Sequence, residues 1–290
     1  MAHLRGLGCA LAQGSLEDDP ARLARLMDGC EAVFHAAAHI YGGPSLDVVR
    51  AVNVEGTRRV LEAALLAGAA RAVHVSSVAV YGDPPAPIGE DTPLTAPLRA
   101  VDFYGRTKRE GEAVVASFAD RGLPVTVLRP PALYGERDRL FVPRLLAFVR
   151  RPVAFVLGTG RTRLAAVYAG NAAEAAERAL LGRAPAGTYN VTEDVPVTLR
   201  DLLEALAGAV GRRPLVVGIP GALARAGARA GDALGFRIPG ARDLSLSRSA
   251  RLASVDNPYP SSRAREVLGW TPPFSRDEAL ARTGAWARTL

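Results

Sequence analysis

The chain has 290 residues, 49% of them hydrophobic and 22% charged, with a formal net charge of +7. That is enough apolar material for a sizeable core and predicts one large domain with a smaller lobe. The arginines are scattered rather than blocked and no aromatic-interleaved basic patch occurs, which argues against a nucleic-acid-binding stripe, and no run approaches the roughly 18 apolar residues of a membrane span.

In chain order, a strand is predicted near Cys9 to Gln13, a helix near Pro20 to Asp28 and a strand near Glu31 to His35. A long helix follows from about Leu46 to Ala67, then a β-branched strand around Val73 to Val75, a helix from about Asp102 to Arg121 and a strand from Val125 to Arg129. Alternation of this kind implies βαβ units and the α/β fold class, a doubly wound parallel sheet. Beyond Arg129 the elements shorten and Pro and Gly become frequent, with helical patterns near Leu199 to Val210 and Arg276 to Arg288. Residues 1–130 plus about 165–182 are expected to form the sheet domain, with Ala165 to Leu181 returning to the main sheet. About 131–164 and 183–290 are expected to form a substrate lobe. Cys9 and Cys30 lack metal-ligand spacing and the four histidines do not cluster, so no metal is expected and the chain reads as reduced and cytoplasmic. Met1 to Ala12 is broken by Gly6 and Gly8 and does not resemble a signal peptide.

Lys108 is the single lysine among 36 basic residues. A lysine kept in so arginine-rich a chain points to chemistry that a planar, permanently charged guanidinium does not perform. It follows Tyr104 by four positions, one helical turn along the same face. Only Tyr259 and Arg263 share that Tyr-to-basic spacing. The strand ending at Val75 delivers Ser76 and Ser77 to its carboxyl end, where ligands bind in open α/β sheets. Ser77 lies 27 residues before Tyr104, so a hydroxyl and a Tyr/Lys pair can converge on one substrate carbonyl.

Several further segments occur in a fixed order: Val33-Phe34-His35-Ala36-Ala37-Ala38, Asn53-Val54-Glu55-Gly56-Thr57, Ser76-Ser77-Val78-Ala79-Val80-Tyr81-Gly82 and Tyr104-x-x-x-Lys108. Leu128-Arg129-Pro130-Pro131-Ala132-Leu133-Tyr134-Gly135, Tyr189-Asn190-Val191 and Val267-Leu268-Gly269-Trp270-Thr271-Pro272 follow. With these the chain resembles the extended short-chain dehydrogenase/reductases, the epimerase/dehydratase superfamily, over nearly its whole length. The resemblance implies a Rossmann-like sheet and NAD or NADP as cofactor. It also implies that Tyr104 is the general acid/base, that Lys108 lowers the tyrosine pKa and hydrogen-bonds the nicotinamide ribose, and that Ser77 orients the substrate oxygen. A tyrosine near pKa 10 is a poor base at neutral pH, and a neighbouring cation makes the role reasonable. Asn53 matches the family's helix asparagine, for which a catalytic role and a helix-steadying role are both open. Ala36, Ala37 and Pro130 complete the implied cofactor contacts, together with Tyr104 and Lys108. A homodimer through the Leu46 and Asp102 helices is implied by resemblance, the alternative being that their apolar faces are covered within one chain.

The glycine-rich dinucleotide fingerprint is missing. Gly6-Leu7-Gly8 precedes a predicted strand instead of following one, and Gly158-Thr159-Gly160 reads as a turn far downstream. Relative to the family, strand 1, helix 1 and strand 2 are absent, and with them the segment that selects NAD or NADP. The expectation is therefore that the native protein extends upstream of Met1, and that the chain as written binds dinucleotide poorly and bares an edge beside Val33. Ser15 stands where the family usually has an Asp near the adenine.

Nucleotide-sugar members of the family usually carry polar or charged residues where this chain has Ala132 and Leu164-Ala165-Ala166, and Asn171 replaces a common Asp. The sequence is closer to the 3β-hydroxysteroid dehydrogenase and dihydroflavonol reductase branch. The expected activity is hydride transfer at an alcohol or ketone of an apolar small molecule. A nucleotide-sugar epimerase or dehydratase and a non-catalytic dinucleotide-sensing or scaffold protein are the alternatives.

Overall fold

Buried β-branched strands joined by amphipathic helices can only satisfy their edges by pairing in parallel, and four of them do so here. The structure is a computed structural model and describes residues 2–40, 43–182, 185–192, 195–236, 246–247, 250 and 255–290. Its strands are β1 (Ala32–His35), β2 (Arg71–Val75), β3 (Val125–Arg129), β4 (Ala132–Tyr134), β5 (Val153–Leu157), β6 (Ala166–Tyr168), β7 (Thr188–Asn190) and β8 (Leu215–Ile219). The main sheet has the order β1-β2-β3-β7, all parallel, and two smaller parallel pairs, β4-β6 and β5-β8, stand apart from it.

The helices are α1 (Ala2–Gly6), α2 (Pro20–Leu26), α3 (Leu46–Arg50), α4 (Gly56–Leu66), α5 (Phe103–Ala119), α6 (Phe141–Val149), α7 (Ala169–Leu180), α8 (Leu199–Ala209), α9 (Gly221–Ala233), α10 (Ser262–Glu266) and α11 (Arg276–Ala287). Local chemistry sets several of their starts. The Asp19 carboxylate accepts from the Ala21 N–H with Pro20 in the first turn, the Asp102 carboxylate accepts from the Gly105 N–H, and α8 and α11 open with Thr198/Asp201 and Ser275/Glu278 capping boxes. The long helix predicted from Leu46 to Ala67 is α3 and α4 joined by a π turn, Ala51–Glu55, which carries Asn53.

Helices cover both faces of the sheet. On one face Leu61, Ala64, Val115 and Phe118 of α4 and α5 pack on Val33, Val125 and Val127. On the other, Ala175, Ala176 and Ala179 of α7 and the indole of Trp270 pack on Val73 and Leu128. A separate core joins α6, α8 and α11 around Val142, Leu202, Leu206 and Ala279. Helix α5 crosses the π turn closely at Gly111, where an added Cβ would lie 3.0 Å from the Asn53 carbonyl.

Three details differ from the sequence expectation. Cys9 to Gln13 forms no strand: it has no neighbour to bond to, and all but Leu11 are exposed. Ala165 to Leu181 reaches the main sheet through α7 alone, because β6 pairs with β4, Ala132 opposite Ala166. The fourth strand is β7, from the segment assigned to the lobe, and it pairs with β3 through Leu128 opposite Tyr189. Among the described residues β1 lies at one edge of the sheet, with Phe34 47% exposed.

Phe118 is fully buried where α5 meets the sheet. Phe118→Ala is expected to cost about 3–5 kcal/mol, read as a lowered midpoint in urea unfolding at pH 7.

Candidate active site

Strand β2 ends at Val75, and the ladder to β3 continues past it. The Ser76 N–H donates to the Leu128 carbonyl at 2.8 Å and the Val78 N–H to the Pro130 carbonyl at 3.1 Å, fixing Ser77 between them. The Ser77 Oγ accepts the Ala79 N–H at 3.2 Å and so caps a short 3₁₀ turn, Val78–Tyr81. A hydroxyl that accepts in this way keeps its own proton for another partner. The Ser76 Oγ is buried and has no hydrogen-bond partner among the described residues.

Asp102 caps α5 two residues before Tyr104, which is half-buried, and Lys108 lies one turn further in, 2% exposed. The Lys108 Nζ donates to the Val75 carbonyl at 2.7 Å and lies 5.9 Å from the centre of the Tyr104 ring. That bond fastens α5 to the end of the serine-bearing strand. Burial pushes the Lys108 ammonium down from its ordinary 10.5 to about 8, with the Glu112 carboxylate opposing the shift. The other Tyr-to-basic pair behaves differently. Tyr259 precedes α10 and stacks on Tyr81 at 5.8 Å, while Arg263 pairs with Asp91, so spacing alone does not build the arrangement.

Asn53 is buried, and its amide is fully engaged. Its Oδ1 accepts the His39 N–H at 2.7 Å, and its Nδ2 donates to the His39 carbonyl at 3.0 Å and the Thr107 Oγ at 2.9 Å. It thereby ties the segment after β1, which contains Ala36 and Ala37, to the residue beside Lys108. Ala36 and Ala37 are exposed, and Pro130 is buried next to Ser77. All the residues singled out from the sequence therefore gather around the carboxyl ends of β1, β2 and β3.

Two histidines lie under this site. His35 and His74 are opposite one another on β1 and β2, with ring centres 5.4 Å apart. The His35 Nε2 hydrogen-bonds the Thr57 hydroxyl at 3.0 Å, whereas both ring nitrogens of His74 are buried without a partner among the described residues. Burial, reinforced by the Lys108 charge, lowers His35 from 6.5 to about 4 and His74 well below its ordinary value, so both are neutral at pH 7.

Sequence reasoning missed a buried polar network behind Lys108. Arg129, the last residue of β3, donates from Nε and Nη2 to the Glu112 carboxylate at 2.9 and 2.5 Å and from Nη1 to the Tyr81 hydroxyl at 2.8 Å. The Tyr81 hydroxyl donates to Asn190 Oδ1 at 2.8 Å. The available signal was Glu112 standing one turn beyond Lys108 and an arginine closing a buried strand.

The nicotinamide-ribose end of a dinucleotide fits the residues present. Lys108 has three donors and the Val75 carbonyl uses one, and the small side chains of Ala36 and Ala37 leave the backbone after β1 approachable. The pyrophosphate end is not matched among the described residues. Gly6 closes α1 and Gly8 follows it at φ 78°, and a Cβ added at either meets nothing within 4 Å, the opposite of a crowded phosphate cradle. A shallow depression lined by Ala119, Gly122, Pro124, Val125, Ala186 and Gly187 lies at the amino end of β3, away from these groups, and has no titratable lining. No helix among the described residues is long and apolar enough to cross a membrane.

A helix-covered parallel sheet with a serine at a strand end, and Tyr and Lys one turn apart on the next helix, defines an extended short-chain dehydrogenase/reductase. The chain belongs to the NAD-dependent epimerase/dehydratase family, whose profile matches residues 3–192. It is 31% identical to the 4-hydroxy-2-methyl-3-oxo-4-farnesyl-3,4-dihydroquinoline-1-oxide ketoreductase of Stigmatella aurantiaca, over 96% of this chain and 83% of the relative. It is 28% identical to 3beta-hydroxysteroid-dehydrogenase/decarboxylase isoform 2 of Arabidopsis thaliana, over 91% of this chain but spanning only 50% of that longer protein. In fold it is similar to UDP-glucuronic acid 4-epimerase from Bacillus cereus in complex with NAD, with a TM-score of 0.73 and 18% identity over 99% of this chain and 85% of that one.

Between pH 6.5 and about 4 the unfolded chain holds a proton at His35 that the folded chain lacks, so stability falls as the pH falls through this window. The loss expected from His35 is about 3 kcal/mol. Urea denaturation at several pH values should show this acid limb, flattened in His35→Leu. Lys108→Met is expected to stabilise the fold at pH 7 by on the order of 2 kcal/mol. This is the ~3 kcal/mol represented by the depressed ammonium less ~1 kcal/mol for the lost Val75 bond. A lower unfolding midpoint than wild type would count against it.

Proposed function

We propose that this chain carries out nicotinamide-dependent oxidoreduction at an alcohol or ketone of an apolar small molecule. The observation carrying this reading is the buried Lys108 ammonium, fastened to the Val75 carbonyl beneath Tyr104 and next to the Ser77 strand end. A bound nicotinamide supplies hydride exchange at the carbon. The residues of the chain handle the oxygen: Ser77 donates a hydrogen bond that orients it, and the Tyr104 hydroxyl gives it a proton on reduction or takes one on oxidation. Lys108 stabilises the tyrosinate left behind, which a tyrosine in plain water would form only near pH 10. Asn53 keeps α5 and the segment after β1 in register, which is how it serves the reaction.

The apolar substrate class is supported by the pairing of β4 with β6. It sets Ala132 against Ala166, with the Ala132 N–H 3.4 Å from the Ala165 carbonyl, so the positions that are polar or charged in sugar-nucleotide enzymes form one apolar strip two residues beyond Pro130. The names of the two curated relatives, a farnesylated dihydroquinoline ketoreductase and a hydroxysteroid dehydrogenase, agree with that class. Residues 1–130 with α7 and β7 carry the cofactor side, and the α6, α8 and α11 core carries the substrate lobe. A homodimer through α3, α4 and α5 belongs to the same reading.

The test is reduction of a panel of apolar cyclic ketones with NADH or NADPH, beside UDP-sugars. Turnover of the ketones, reduced about 10²–10⁴-fold by Tyr104→Phe with the fold retained, is the expected result. Turnover of UDP-sugars alone would replace the substrate class, and turnover insensitive to Tyr104→Phe would remove the assignment.

A further inference from the structure

We propose that Glu112 is a positioning residue for the Tyr104–Lys108 pair: held by Arg129 at both oxygens, its carboxylate keeps the Lys108 ammonium charged where protein has replaced water. The inference takes Tyr104 and Lys108 as the acid/base pair of the proposed function and adds what maintains them.

Tyr104, Lys108 and Glu112 succeed one another at intervals of four on α5 and so form a row along one face. The Glu112 and Arg129 side chains are 9% and 6% exposed, and their contact is bidentate. Arg129 is itself fixed. Its Nη1 donates to the Tyr81 hydroxyl and to the Glu90 carbonyl at 3.3 Å, and its guanidinium lies 4.8 Å over the Tyr81 ring. A buried ion pair is weak evidence for stability, since well-packed apolar residues of the same volume commonly do as well or better. Folding therefore does not account for this pair, whereas its place beside Lys108 does.

The groups around Lys108 narrow the choice further. Its own helix presents Tyr104 and Glu112, β1 presents His35, and β2 presents His74 and the Val75 carbonyl. Both histidines are neutral, so neither supplies the negative charge that a buried ammonium needs. The Glu112 carboxylate, one turn along α5, acts on Lys108 against the effect of burial. Because Arg129 occupies both oxygens, Glu112 influences Lys108 through its field rather than by removing an ammonium proton from the site.

The lone lysine makes the test direct. Lysine labelled with ¹³C at the ε carbon gives one side-chain resonance from the full chain, which can be titrated without substrate or cofactor. Wild type is expected to titrate near 8. Glu112→Gln should lower the midpoint below that of wild type. Glu112→Asp, which keeps the charge, should restore most of the shift. The double variant Glu112→Gln/Arg129→Gln removes both charges and serves where a stranded Arg129 unfolds the single variant; it too should titrate lower than wild type. An unchanged midpoint in a folded variant overturns the proposal. So does a fall in Glu112→Gln that the double variant reverses, since the effect then belongs to the exposed Arg129 charge. A chain that shows the expected shifts yet reduces no ketone supports this inference and counts against the proposed activity, so the two fail separately.

Discussion

A single hydrogen bond, from the Lys108 ammonium to the carbonyl of Val75, determines where everything else at this site stands. An ammonium taken out of water needs an acceptor, and the carboxyl end of a parallel strand offers carbonyls whose partners have run out. Once that bond forms, α5 is fixed in rotation and in height against β2. Tyr104 must then stand one turn nearer the mouth and Ser77 two residues beyond the acceptor. Asn53, which reaches Thr107 beside the lysine, adds a second fastening from the π turn. The arrangement works against stability, because the cation would be better solvated outside. Strain of this sort is common where function rather than folding sets the side chain.

The site differs in character from the cores that carry it. The sheet faces are packed with aliphatic residues, but at the carboxyl ends of the strands polar groups accumulate: the His35–His74 pair, the Ser76 hydroxyl and the Arg129–Glu112–Tyr81–Asn190 chain. Some of these are fully paired and some, such as His74, are not. The two histidines beside Lys108 stay neutral through burial and through its charge.

Much of this was legible before any coordinates. The β-branched runs at Val73 and Val125 could only be buried parallel strands, and the spacing of Tyr104 and Lys108 needed only the pitch of a helix. What escaped were features set by partners rather than by the segment itself. Cys9 to Gln13 has a strand's composition, but a strand exists only beside another strand, and none among the described residues pairs with it. Thr188–Asn190 is three residues long and looks like part of a loop, yet β3 gives it a place in the sheet. The pairing of β5 with β8 joins segments about sixty residues apart that carry no local sign of each other. Nothing in the sequence reveals that Arg129 lies across from Glu112.

The position of β7 at the far edge of the main sheet has a consequence for how the chain is made. Strands β1, β2 and β3 and helices α4 and α5 are all complete by Arg129, so the lysine, its acceptor and the serine can come together early during synthesis. The edge of β3 then stays open while roughly sixty further residues, including β4, β5 and β6, emerge before Thr188 arrives to close it. Contacts of such long sequence separation form late and leave hydrophobic edges exposed meanwhile. Ser77, Tyr104 and Lys108 are thus assembled on a half-finished sheet, and the interval before β7 docks is when a nascent chain is most open to pairing with the wrong strand.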